Sequence, residues 1–314
     1  MAPLAVRIKK KLTLLETNEF LKKRSDREVM DAYLTIGGVP EYLKWVSKES
    51  SVLLSLCKNS FSSNAFFARE YERIFTSSLS HNKYYKEIIE ILSKKKYATR
   101  NELAKILDAS SGGTLSSVLL DLEKSGFIGA YHPFNTSENS LLTRFTIEDN
   151  YLQYYFRCIK PLQKNIESGA YDLNPKMALV MDSYIKWLGF SFERFCRKYH
   201  YVIARILQFA AVNYKSGAFF SRATEKEAPG YQIDLIFDRA DNVYTICEIK
   251  YFQGKVGTSV IQEFETKLSL FPNKSNKTIH KVLICSEGAD EALVNNGYFD
   301  EIITVAQLMQ PRYW

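Results

Sequence analysis

The stretch Val243 to Phe252, Val-Tyr-Thr-Ile-Cys-Glu-Ile-Lys-Tyr-Phe, constrains the fold of this 314-residue chain more than any other. Its β-branched and aromatic content predicts a strand. Side chains alternate along a strand, so Thr245, Cys247, Ile249 and Tyr251 share one face. Tyr244, Ile246, Glu248, Lys250 and Phe252 share the other. Both faces are largely apolar, which predicts a central strand covered on both sides. Glu248 and Lys250 then stand together on a face that is otherwise buried. Buried charge is costly unless paired or bound to metal, so this pair marks a candidate functional site.

The run Tyr231 to Asp238 is the expected partner strand. Ala240-Asp241-Asn242 fits a three-residue hairpin loop with Asn242 in the left-handed conformation. That loop sets Arg239 opposite Val243 and, counting back, Asp234 opposite Glu248. A two-residue loop would instead oppose Asp234 to Cys247, on the other face. Two converging carboxylates repel, and a bound cation removes that cost. A third acid, Glu193, falls on a helix expected over roughly Lys176 to Lys198, at the edge of an apolar stripe of Phe192, Phe195 and Tyr199. The ordinary alternative is a cross-strand ion pair on a partly exposed sheet, which contributes at most about 1 kcal/mol.

At Gly189-Phe190-Ser191-Phe192-Glu193, Ile233-Asp234 and Glu248-Ile249-Lys250 the chain resembles the PD-(D/E)XK nuclease superfamily. More specifically, it is similar to the C-terminal part of archaeal-type AAA ATPases. Leu34-Thr35-Ile36-Gly37-Gly38-Val39-Pro40-Glu41-Tyr42-Leu43 resembles the end of their lid region. Arg144-Phe145-Thr146-Ile147-Glu148-Asp149-Asn150-Tyr151-Leu152 resembles the segment after their winged helix. The resemblance runs from about residue 12 to the C-terminus. It implies Glu193, Asp234, Glu248 and Lys250 as catalytic residues, with Asp234, Glu248 and Glu193 as ligands of Mg²⁺ or Mn²⁺. Gln232 departs from the pattern, because relatives often carry Glu there. No G-x-x-x-x-G-K-[ST] phosphate loop occurs. The chain begins where that family's nucleotide-binding core would already have ended, as a cut piece or a natural short form. No ATP site and no ATP hydrolysis are expected.

The expected fold class is α+β or α/β, in four segments: a helical, lid-like region over residues 1–78, a winged helix over 79–149, a helical connector over 150–172, and a mixed-sheet, restriction-endonuclease-like domain over 173–314. In the first segment Glu70 and Glu72 read as solvated or capping. In the second, helices are expected at Lys83 to Ser93, Thr99 to Leu107 and Thr114 to Lys124. Thr99 and Glu102 form a capping box, Gly112-Gly113 a turn, and a wing returns at Leu141 to Ile147. The aromatic cluster Tyr151, Tyr154, Tyr155 and Phe156 reads as core of the connector. In the last segment strands are expected at Tyr201 to Val212, Phe219 to Arg222, Lys281 to Ser286 and Glu301 to Val305, with a helix at Val260 to Leu270 whose Lys267 either lies near the site or, as the favoured reading, faces solvent.

Net charge is +7, which permits nucleic-acid contact without demanding it. Nucleic acid is the expected partner, DNA more than RNA. The outer face of the third winged-helix helix, however, offers Thr114, Ser117, Asp121, Glu123 and Lys124. Two acids and one base suit phosphate poorly, so packing of this helix against another domain or a partner protein is at least an equal expectation. The basic run Lys94-Lys95-Lys96 reads as a solvated loop. The five cysteines are scattered and none clusters with the four histidines, so free thiols in a reducing, cytoplasmic setting fit best and zinc does not. No apolar run is long enough to span a membrane. Two readings of function stand: a metal-dependent nuclease, and a non-catalytic binding module that works with a separate or missing ATPase core.

Overall fold

A computed structural model describes residues 11–77, 82–95, 97–108, 113–132, 134, 143–221 and 230–314. Lys96, Gly112, Leu141 and Arg222 lie outside them. The fold is mixed α+β, with a three-stranded antiparallel sheet and a five-stranded mixed sheet. Two compact units divide the chain: residues 1–132 with 138–184, and residues 133–137 with 185–314. The helix Met181–Lys198 contains the boundary.

The first unit opens with helices Leu14–Phe20, Asp26–Ile36, Pro40–Val46, Val52–Phe61 and Phe66–Ser77. The Gly-Gly-Val-Pro stretch has a clear physical role. Gly37 ends the helix Asp26–Ile36 at φ 68°, ψ −171°, a region essentially reserved for glycine. Gly38 receives the backbone of Leu12, whose N–H donates to the Gly38 carbonyl at 2.7 Å. A Cβ on Gly38 would sit 1.9 Å from the Leu12 carbonyl oxygen. Pro40 then starts the next helix, where its missing N–H costs nothing. Glu70 is buried, not solvated. It accepts from the Tyr42 hydroxyl at 2.9 Å and pairs with Arg73 at 2.6 Å. Burial raises its pKa, and those two partners draw it back.

Three helices and the three-stranded antiparallel sheet follow in the same unit. Helix Lys83–Lys94 leads to β1 (Ala98–Thr99), helices Arg100–Ile106 and Gly113–Lys124, then β2 (Ile128–Tyr131) and β3 (Arg144–Ile147), in sheet order β1-β3-β2. The Thr99–Glu102 capping box is present. Asp121 accepts from the Tyr85 hydroxyl at 2.9 Å, so it is tied to the neighbouring helix. Beyond β3, helix Asn150–Tyr154 passes into a π turn at Tyr155–Ile159 and a 3-10 turn at Lys160–Leu162. Pro161 lacks an N–H, which breaks the regular ladder there. Tyr151 and Tyr154 are fully buried, and Tyr155 stacks on Tyr71 with centroids 4.5 Å apart. The aromatic cluster is core.

The second unit is built on five strands in chain order: β4 (Tyr214–Ser221), β5 (Tyr231–Arg239), β6 (Val243–Lys250), β7 (Thr278–Cys285) and β8 (Glu301–Thr304). β4, β5 and β6 form an antiparallel meander, while β6, β7 and β8 are parallel. The expected strand at Tyr201 to Val212 is instead the helix His200–Ile206. A short apolar run fits both periods. Here the adjacent Val202, Ile203 and Ala204 are all buried, on a helix that follows directly from Met181–Lys198, and the strand begins only at Tyr214. Helix Ser259–Leu270 makes the crossover between parallel β6 and β7. Val260 and Phe264 pack with Ile246, Leu283 and Phe299 on one side of the sheet, each such side chain contributing about 1.5–3 kcal/mol. On the other side the ring of Phe192 lies 4.6 Å from that of Tyr251.

Gly38→Ala should destabilise the first unit by about 2–3 kcal/mol, because its Cβ meets backbone that has no rotamer to move. Urea denaturation followed by far-UV circular dichroism measures this, and an unchanged midpoint would contradict the Leu12 contact.

Candidate functional site

The hairpin β5–β6 turns through Asn242 at φ 65°. Its ladder pairs Asp238 with Tyr244, Phe237 with Thr245, Ile236 with Ile246 and Leu235 with Cys247. One step beyond that last pair stand Asp234 and Glu248. The strand is irregular at this point. Between Gly217–Ile236 and Phe219–Ile233, β4 advances by two residues and β5 by three. Asp234 and Leu235 therefore oppose Ala218 alone, which is a bulge. Bulges bend a strand and re-aim a side chain. The Asp234 carboxylate turns back onto the hairpin, where Oδ2 accepts the Ile249 N–H at 3.2 Å.

Both acids are buried, Glu248 to 1% exposure and Asp234 to 7%. Burial raises the pKa of each. Glu193 adds to the rise at Asp234, and Asp234 adds to the rise at Glu248. Two ammonium groups compensate Glu248. Lys267 Nζ lies 2.6 Å from Oε2, and Lys250 Nζ lies 3.1 Å from Oε1. Lys250 is also 2.6 Å from the exposed Glu263, and its pKa is raised. Burial opposes that rise, and Glu263 and Glu248 outweigh it.

Glu193 comes from helix Met181–Lys198 and reaches the site through Gln232. The Gln232 amide nitrogen is 3.2 Å from Glu193 Oε2 and 3.1 Å from Asp234 Oδ1. One donor thus holds two acids apart and in register. Arg197 joins the same group, 3.4 Å from Glu193 Oε2 and 3.2 Å from the Asp234 carbonyl.

The structure therefore gathers all four expected site residues. Lys250 joins directly to Glu248, and Glu193 joins to Asp234 through an amide. Lys267 does not face solvent as expected but is Glu248's closest ion-pair partner. Its place on the helix after Glu248–Lys250 leaves both the site and solvent open to it, because the contact depends on how the crossover helix lies on the sheet. Gln232 was visible only as a position lacking an acid. Among the described residues no group of three or more His, Cys, Asp or Glu side chains is arranged to hold a metal ion. Among them, too, no helix is long and apolar enough to cross a membrane, and the five cysteines are free thiols.

No family model matches the chain, and no solved structure matches it. It is similar to an uncharacterized protein of Methanocaldococcus jannaschii, 26% identical over 227 residues. The match covers 72% of this chain and 48% of that protein, so the chain spans about half the length of the curated relative it matches.

Because the folded state holds both carboxyl pKa values above their unfolded values, it binds protons more tightly than the unfolded chain. Their contribution to stability is therefore greatest at low pH. It falls as pH rises above the ordinary carboxylate range of about 4. Asp234→Asn keeps an acceptor for Ile249 and removes one of the two charges. It should raise Tm by about 2–4 °C at pH 8, with the gain shrinking toward pH 4. Differential scanning calorimetry of both proteins across that range checks the sign.

Proposed function

We propose that the second unit is a magnesium- or manganese-dependent phosphodiesterase acting on nucleic acid, with Asp234, Glu248 and Lys250 as its working groups. The observation that carries this reading is the pair of buried carboxylates on adjacent strands, level with each other at a bulge, with a lysine two residues along the second strand. Hard oxygen donors and stranded negative charge suit a divalent cation. The donor set fits on one condition, that Lys267 releases Glu248 Oε2. Asp234 and Glu248 would then hold the ion and Glu193 would assist through Gln232. When bound, such an ion polarises the phosphoryl oxygen and lowers the pKa of water.

The chain's own residues do the rest. Lys250 stands two residues beyond Glu248, half-buried, and its raised pKa keeps it cationic. It offers its charge to a phosphate oxygen and can orient the attacking water. The bulge and the Ile249 N–H fix the Asp234 carboxylate, so it needs no rearrangement as charge develops. Gln232 sets the spacing of Glu193 from Asp234. A second reading, a non-catalytic binding module, draws on the two lysines, which leave Glu248 fully paired without metal. The outer face of helix Gly113–Lys124, with Thr114, Ser117 and Glu123 exposed and Lys124 its one cation, suits a protein partner better than a phosphate backbone.

Cleavage of labelled single-stranded DNA, duplex DNA and RNA in Mg²⁺ or Mn²⁺ separates the readings. The wild type should cleave at least one substrate and stop in chelator. Lys250→Ala should lower the rate by about 10²-fold or more while still binding Mn²⁺. Asp234→Ala combined with Glu248→Ala should abolish both cleavage and binding. Equal cleavage by wild type and the double variant would assign the activity elsewhere. Absence of cleavage on every substrate would favour the binding module.

A further inference from the structure

We propose that Lys267 is a built-in cation that competes with the divalent ion for Glu248, so that metal loads only when its ammonium leaves Oε2. This rests on the reading of Asp234 and Glu248 as a metal site. The two Glu248 oxygens are each taken by one ammonium, Oε2 by Lys267 at 2.6 Å and Oε1 by Lys250 at 3.1 Å. The two Asp234 oxygens are likewise engaged, by Gln232 and by the Ile249 N–H. A divalent cation brought to this carboxylate pair meets an ammonium already bound to one of the oxygens it needs. Like charges on one carboxylate repel strongly where water is largely excluded.

The two lysines differ in how easily they can yield. Lys250 has a second acceptor in Glu263 and stays paired whether or not it touches Glu248. Lys267 rides on helix Ser259–Leu270 at the end of a flexible four-carbon stem, with its side chain 22% exposed. Glu263 lies four residues earlier on that helix, at the spacing where a glutamate and a following lysine pair. Lys267 therefore has an alternative seat beside the site, and the helix that brings it in also supplies the place for it to go. The group explains why the resting site is neutral enough to stay buried without metal.

The test is Mn²⁺ binding to the full chain by isothermal titration calorimetry, with Mn²⁺-induced shifts of Tm as a second readout. Lys267→Met should bind Mn²⁺ about tenfold more tightly than wild type, and its Tm should respond more to Mn²⁺. Lys267→Arg restores the cation and should stay within about twofold of wild type. Should Lys267→Met fail to fold, Lys267→Gln carries the same expectation. If the wild type binds Mn²⁺ and loses it on Asp234→Ala, while Lys267→Met binds no more tightly, the competition is overturned and the metal site survives. If neither wild type nor any Lys267 variant binds Mn²⁺, both are overturned.

Discussion

The second unit is organised around one buried negative charge. Glu248 lies on a strand covered on both faces and is 1% exposed. An isolated ionised carboxylate in that position would lose several kcal/mol of hydration, on the order of what a small domain has in total stability. Its relief comes from two directions. Lys250 is supplied by the same strand, and Lys267 by the crossover helix. The helix can deliver Lys267 only because Val260 and Phe264 seat it on the sheet beside Ile246 and Leu283. Apolar packing and ion pairing are therefore one arrangement: a shift of the helix that loosened Phe264 would also withdraw the ammonium from Glu248.

Asp234 depends on a different device. The hairpin turn at Asn242 sets which residues pair, but regular pairing alone would leave Asp234 as one more strand residue. The extra residue in β5 against Ala218 re-aims it, and the Ile249 N–H holds its carboxylate in place of a ladder acceptor. Gln232 completes the setting. A glutamate there would place another negative charge between two carboxylates that already repel. The amide instead donates to both.

What the sequence disclosed follows the range of the interactions involved. The hairpin register was legible because turn length and the left-handed tolerance of Asn242 are local properties, and the period of two along β6 put Glu248 and Lys250 on one face. The Thr99–Glu102 cap was legible for the same reason. The run after Tyr199 was misread, since Val202-Ile203-Ala204 satisfies either a strand or a helix and only the preceding helix decides between them. Lys267 is legible only as a choice between the site and solvent, and the bulge at Asp234–Leu235 not at all. One depends on the path of a crossover connection, the other on a mismatch between strands separated by residues 222–230. Glu70 was misjudged because its acceptor role is fixed by Tyr42, 28 positions away.

The distribution of charge over these elements bears on how the site works under the proposed reading. Asp234 and Glu248 are carried by strands in the middle of a sheet, and Glu193 is tethered by Gln232 and Arg197. The positions of the acids are thus set by backbone hydrogen bonding and by short, crowded side chains. Lys250 and Lys267 reach in on long stems from half-buried positions. Lysine is a mobile point charge with little geometric demand. Any change of state in the cluster then falls on the cations, while the acids remain where the sheet puts them. Counting Glu193, Asp234, Glu248 and Glu263 against Arg197, Lys250 and Lys267, the resting cluster is short of balance by one positive charge. A phosphate oxygen drawing Lys250 outward deepens that deficit, and a divalent ion at the carboxylates more than fills it. Under that reading substrate and metal would act on the same cluster in opposite electrostatic directions, and the binding of each would favour the other.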